Sequence, residues 1–165
     1  MKALLINRED LIKRTALSGN LDLDKIIHYI EIAQDLHIES LIGTKLLTKL
    51  KSDIIADSLG GLYETLVVDY IKPVLVQYTF LEFLPFAQYT LGNKGIFKHT
   101  SEASNLPSVE EIDKMKEVAR DTAQHYAKRL NDYLEHNSEL YPEYLSNTDE
   151  DIRPNRNPLF GGWEL

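Results

Sequence analysis

The sequence predicts a mainly α-helical bundle of about four helices, with a long loop or small hairpin near residues 92–107 and an extended C-terminal tail. Three observations carry that prediction. Apolar residues recur at three- and four-residue steps over most of the chain before residue 138, cap residues stand where the periodic stretches begin, and glycine and proline mark the joins. At 165 residues and 43% hydrophobic content, the chain has material for one compact core and not for two independent domains.

The first helical signal is short. Asn7 is a cap residue with Asp10 three positions on, and Leu11 and Ile12 come next, before Ser18, Gly19 and Asn20 close the segment after one or two turns. A longer helix begins at Asp22, because Leu23, Ile26, Ile27, Ile30, Ala33 and His37 share one face while Asp24, His28, Glu31 and Asp35 gather on the other. Gly43 ends or bends it, and Thr44 opens an amphipathic piece carrying Leu46, Leu47 and Leu50. Gly60 and Gly61 then separate that piece from the next helix.

From Leu62 the helical period resumes with Leu66, Tyr70 and Val74, but beyond Tyr70 the apolar residues spread round the whole axis. Val74, Leu75, Val76, Tyr78, Phe80, Leu81, Phe83, Leu84 and Phe86 together exceed what one layer of neighbouring helices is expected to cover, so part of this surface is expected to meet another subunit. Pro73 lacks the amide hydrogen of a helix interior and predicts a kink or break, and Pro85 predicts a second.

Gly92 to Pro107 has no helical period, and Ile96, Phe97, Lys98 and His99 within it have strand character. Ser108 and Glu111 then form a capping box, and Ile112, Met115, Ala119, Thr122, Tyr126, Leu130, Tyr133 and Asn137 continue as one amphipathic helix of roughly thirty residues. The bundle is therefore expected to occupy 1–137 and an extended arm 138–165. Pro142, Pro154, Pro158, Gly161 and Gly162 make the arm irregular, yet Tyr141, Tyr144, Leu145, Ile152, Leu159, Phe160 and Trp163 are apolar anchors that an inert disordered tail would lack.

Charge and chemistry narrow the function classes. Eighteen basic against 26 acidic residues give a net charge of −8, which argues against a free-standing nucleic-acid binder. The absence of cysteine removes disulfides, thiolate metal sites and a cysteine nucleophile. Met1 to Gly19 has no apolar run of signal-peptide length, and the most apolar stretch, Leu66 to Ala87, is interrupted by Asp69, Lys72, Pro73 and Glu82, so neither a signal peptide nor a membrane span is expected. Asp24 with His28, Asp121 with His125, and Asp132 with His136 sit at i, i+4, but on faces opposite the apolar stripe, where charge pairs are the ordinary outcome. Nucleophile motifs, a phosphate-cradling glycine loop and a zinc-protease pair are missing, so no catalytic, cofactor-binding or metal residues are assigned and the protein is not expected to be an enzyme. Arg153 and Arg156, set among prolines, are suited either to bidentate contact with a partner's carboxylates or to a loose polar linker, and the sequence leaves both open.

Order and spacing then suggest a family. Ile30, Ala33, Gln34 and Asp35, followed by Leu41, Ile42, Gly43, Thr44, Leu46 and Leu50, then Tyr70 to Pro73 and Leu75, Leu84 and Pro85, the Asn93–Lys94–Gly95 loop with Ser101, Glu102 and Ser104, and the helix ending Tyr133 to Asn137, resemble the small helical head-to-tail connector proteins of tailed bacteriophages over roughly 6–144. The resemblance implies a structural virion protein: an adaptor that forms a dodecameric ring beneath the portal, in the neck of the virion, after assembly in the host cytoplasm. Its partners would be copies of itself, the portal protein and the next neck or tail ring. DNA would pass through the lumen without specific contact, which an acidic balance suits because tight binding needs phosphate contacts. The expected interface residues are Phe80, Phe83, Phe86, Lys94, Ile96, Phe97, Ile152, Arg153, Arg156, Leu159, Phe160 and Trp163. Two other classes compete with this reading. One is a helical-bundle metalloenzyme built on the Asp/His pairs; the other is a bacterial helical scaffold or regulator that binds a partner helix in a groove.

Overall fold

In the computed structural model, residues 3–17, 23–87, 89–92, 95–98, 107–146 and 151–155 are described. The protein is mainly helical. Four rods carry the described core: residues 23–42, 44–55, 61–83 and 109–136. Helix α1 (Arg8–Arg14) opens on a capping box in which Asn7 and Asp10 exchange side-chain and backbone hydrogen bonds.

Helix α2 (Leu23–Ala33) runs without a break through a π-helical turn (Gln34–Ile38) into α3 (Glu39–Ile42). The wider turn, in which Glu39 N–H reaches the Gln34 carbonyl, advances the buried face by one residue. Ile38 thus enters the core where simple periodicity points to His37, and His37 sits half-buried at the edge. The buried Gln34 side chain explains why the turn is held here. Its Oε1 accepts from Leu5 N at 3.0 Å and its Nε2 donates to the Ala3 carbonyl at 3.1 Å, fastening the N-terminal segment as a neighbouring strand would.

Helix α4 (Thr44–Ile55) begins directly after Gly43, whose φ of 82° suits glycine. Helix α5 (Gly61–Thr65) passes through a second π turn (Leu66–Ile71) into α6 (Lys72–Phe83), so Pro73 neither breaks nor ends the rod. The π turn lies directly upstream, where a proline ring would crowd a regular α-turn, and widening the helix relieves that clash. At Pro85 the expected break is present: the rod tightens into a single 3₁₀ turn at Leu84–Phe86. A two-stranded antiparallel hairpin, β1 (Tyr89–Gly92) and β2 (Gly95–Lys98), pairs Thr90 with Phe97 and Leu91 with Ile96. It begins three residues before the expected loop.

Helix α7 (Val109–His136) starts on the predicted capping box, with Glu111 N–H bonded to Ser108 Oγ at 3.2 Å and the Glu111 carboxylate accepting from Ser108 N–H at 2.7 Å. Helix α6 is the centre of the bundle, packed against α2 on one side and against α1 and α7 on others. Val74, Leu75 and Val76 are consequently fully buried by the chain itself. This corrects the expectation for those three residues, whereas Tyr78, Phe80 and Phe83 stay half-buried. The rod stays open just beyond its end, where Phe86 is 51% exposed.

The core also extends past residue 137. A 3₁₀ turn (Ser138–Leu140) and the short helix α8 (Pro142–Leu145) bring Tyr141 and Tyr144 fully inside, so the arm's first eight residues belong to the bundle. Among the described residues no helix is long and apolar enough to cross a membrane.

Candidate assembly surface

Helix α3 ends at Ile42 and α4 begins at Thr44, so the Gly43 bend exposes helix-end groups that have no partner within their own helices. The described part of the arm, residues 151–155, satisfies two of them, the Thr44 N–H and the Ser40 carbonyl. Thr44 N–H donates to the Ile152 carbonyl at 3.1 Å, Ile152 N–H donates to Thr44 Oγ1 at 2.9 Å, and Asn155 N–H donates to the Ser40 carbonyl at 2.7 Å. Thr44 Oγ1 passes its own hydrogen to Glu39 Oε1 at 2.8 Å. From α7, buried Asn131 donates to the Asn155 carbonyl at 2.8 Å. The arm is therefore strapped across the bend and α7 chiefly by main-chain atoms, which fix its path while leaving the Arg153 side chain exposed.

A chain of aromatic rings holds the preceding segment. Tyr70 of the second π turn stacks on Tyr133 of α7 at 3.8 Å, Tyr133 and Tyr141 share a hydroxyl hydrogen bond of 2.9 Å, and Tyr141 Oη donates to the Leu62 carbonyl at 3.2 Å. Tyr63 meets Tyr141 edge-on and donates to Glu143 Oε2 at 2.7 Å. Burial and then this carboxylate bond push the Tyr63 hydroxyl up to about 12, and burial followed by the Tyr133 bond raises Tyr141 as well. Burial raises Tyr78 too, partly offset by the Arg120 charge; its ring lies flat on His37 at 3.8 Å, and His37 Nε2 meets Glu82 at 2.8 Å.

The expected interface residues are spread over several parts of the fold. Phe83 and Phe86 clasp Tyr29 of α2, edge-on at 5.5 Å and stacked at 5.8 Å, so Phe83 is occupied within the bundle and Phe86 is half-available. Phe80 floors an open groove of about 770 Å³ between α1 and α7, beside Met115, Val118 and Thr122 and under a rim of Lys13, Arg14, Lys114 and Glu111. Ile152 and Arg153 lie in the strapped arm, and Ile96 and Phe97 are in β2. Lys94, Arg156, Leu159, Phe160 and Trp163 lie outside the described residues, as do the Asp22 cap and the Ser101–Ser104 stretch.

The Asp/His pairs at i, i+4 stay apart from one another on exposed helix faces, and Asp132 is taken by Lys128 at 2.6 Å. Among the described residues no three His, Asp or Glu side chains converge where a metal ion could sit. Sequence reading missed Gln34, Asn131 and the Tyr63–Tyr141–Tyr133–Tyr70 chain as anchors. Nine tyrosines in 165 residues are the one compositional signal that points toward the chain of rings.

Residues 38–153 match a protein-family description that begins at the π turn and ends within the strapped arm, and so takes in both sides of the Thr44–Ile152 dock. The chain belongs to the family of unknown function DUF6712. No curated protein and no solved structure matches it. For this member of DUF6712, the dock and the groove are the features from which a function must be argued.

Proposed function

We propose that this DUF6712 chain is a structural adaptor of a tailed-phage neck, forming a ring that joins the portal to the next tail-proximal ring while DNA passes through. The observation that carries the reading is the arm docked on the Gly43–Thr44 bend. The bend is among the residues on which the connector resemblance rests, and the chain uses it to launch an arm whose sequence continues through Arg156, Leu159, Phe160 and Trp163. An arm rooted by main-chain bonds and ending in apolar anchors suits a subunit whose contacts are with other proteins, where modest individual contacts are multiplied round a ring. The net charge of −8 supports the same reading, since a lumen that DNA must slide through is better without dense phosphate contacts.

Two observations test the proposal: whether the same genome encodes a portal protein, and co-sedimentation with that portal's ring. The adaptor reading expects stoichiometric, saturable binding that weakens when residues 156–165 are removed. A chain that stays free of the portal at every concentration contradicts it.

A further inference from the structure

The groove over Phe80 is unusual for so acidic a chain. Its floor is apolar, with Val118 61% and Met115 45% exposed, and its rim gathers Lys13, Arg14 and Lys114 against the single carboxylate of Glu111. Lys13 pairs with Glu9 at 3.3 Å, whereas Arg14 and Lys114 have no side-chain partner among the described residues. On a protein of net charge −8, copies repel one another at a distance, so any contact between copies must be locally complementary.

The complementary face is on α2 and its π turn. Ile32 and Leu36 stand one turn apart on the outer surface with Glu31 and Asp35 beside them, and Leu36 is 59% exposed. Asp35 also holds Lys51 of α4 at 3.3 Å, so the two carboxylates of this face stand with one ammonium beside them. The two faces point in different directions. Tyr78 and Glu82 of α6 meet His37 from the α2 side, and Phe80 lies two residues from each, which in an α-helix is close to the opposite side of the axis. A groove on one side and an apolar, acid-flanked face on the other are the two halves of a heterologous contact, which closes into a ring when the rotation permits.

We propose that the groove receives the α2 face of a second copy of this chain, with Leu36 seated over Phe80, Met115 and Val118 and with Glu31 and Asp35 beside Lys114 and Arg14. This contact rests on the adaptor reading and names the surface by which its ring would close.

Because the chain has no cysteine, engineered disulfides test it cleanly. Val118→Cys and Leu36→Cys are made separately and together in the full-length protein, alone and with the portal ring. Both positions are exposed, so circular dichroism should match wild type. On oxidation, the mixed single variants should cross-link to each other and neither to itself, and the double variant should give a ladder of copies. As a second measurement, Lys114→Glu should raise the concentration for half-assembly about tenfold, and adding Glu31→Lys in the same chain should restore it. Assembly that proceeds without these cross-links, or with Val118→Cys linked to itself, overturns the contact and leaves the ring standing. Cross-linking of Val118→Cys to Trp163→Cys instead would give the groove to the C-terminal arm and also overturn the contact. If wild-type protein never assembles, alone or on the portal, the adaptor reading falls with it.

Discussion

Arg129 of α7 donates to the main-chain carbonyl of Asp69 across 3.3 Å. That carbonyl lies four residues before Pro73, whose nitrogen has no hydrogen to give it, so the guanidinium supplies from a neighbouring helix what the proline withholds. The same guanidinium lies 4.7 Å over the Tyr70 ring, which stacks in turn on Tyr133. The π turn, the proline and the aromatic chain thus form one arrangement.

Arg129→Ala should lower stability by about 1 kcal/mol, the sum of an exposed charged hydrogen bond and a cation–π contact discounted for solvent. Thermal unfolding should fall by a few degrees, and Arg129→Lys should recover only part of it because an ammonium cannot lie flat on the ring.

Gln34→Leu should cost more, about 3 kcal/mol, because it strands the Leu5 amide and the Ala3 carbonyl in a buried place. Denaturant titration measures the loss. Amide exchange at Leu5 separates local release of the N-terminal segment from global unfolding, and the expected signature is early exchange at Leu5 with α7 still protected.

Truncation should distinguish core from arm. Ending the chain after Ser146 keeps Tyr141 and Tyr144 in place, so helicity by far-UV circular dichroism should be retained. Ending it after Asn137 removes two fully buried aromatic side chains, each of a size that costs about 3–5 kcal/mol when truncated, and the shortened chain should not fold cooperatively.

Both capping boxes were legible in the sequence because a cap is a local exchange between residues three apart, Asn7 with Asp10 and Ser108 with Glu111. The Gly43 bend was legible for the same local reason. The π turns were not, since one is held by Gln34 reaching back to Ala3 and the other accompanies a proline that periodicity reads only as a break. Tyr141 was recognisable as an apolar anchor, but its destination depends on Leu62, 79 residues earlier in the chain, and no local pattern records that pairing. Of the expected interface, Phe80 stands at a groove and Phe83, half-buried, packs against Tyr29. Neighbouring phenylalanines on a helix apolar all round cannot be sorted until the elements packed against it are known.

Alkaline pH should destabilise the bundle through the buried tyrosines. Tyr63 is raised from 10.0 to about 12, so below pH 10 folded and unfolded chains both keep the proton and the contribution is intact. Between pH 10 and about 12 the unfolded chain ionises first, and stability falls as pH rises. Absorbance titration should show Tyr63 and Tyr141 among the late-ionising tyrosines, and Tyr63→Phe should flatten the alkaline loss.

Native mass spectrometry of the purified protein with a portal ring from the same genome tests the adaptor reading most directly. The reading predicts a closed assembly whose mass adds one fixed number of copies to each portal ring, with no partial series persisting at saturation. A single monomer peak beside an unaltered portal ring, at every concentration, would contradict it.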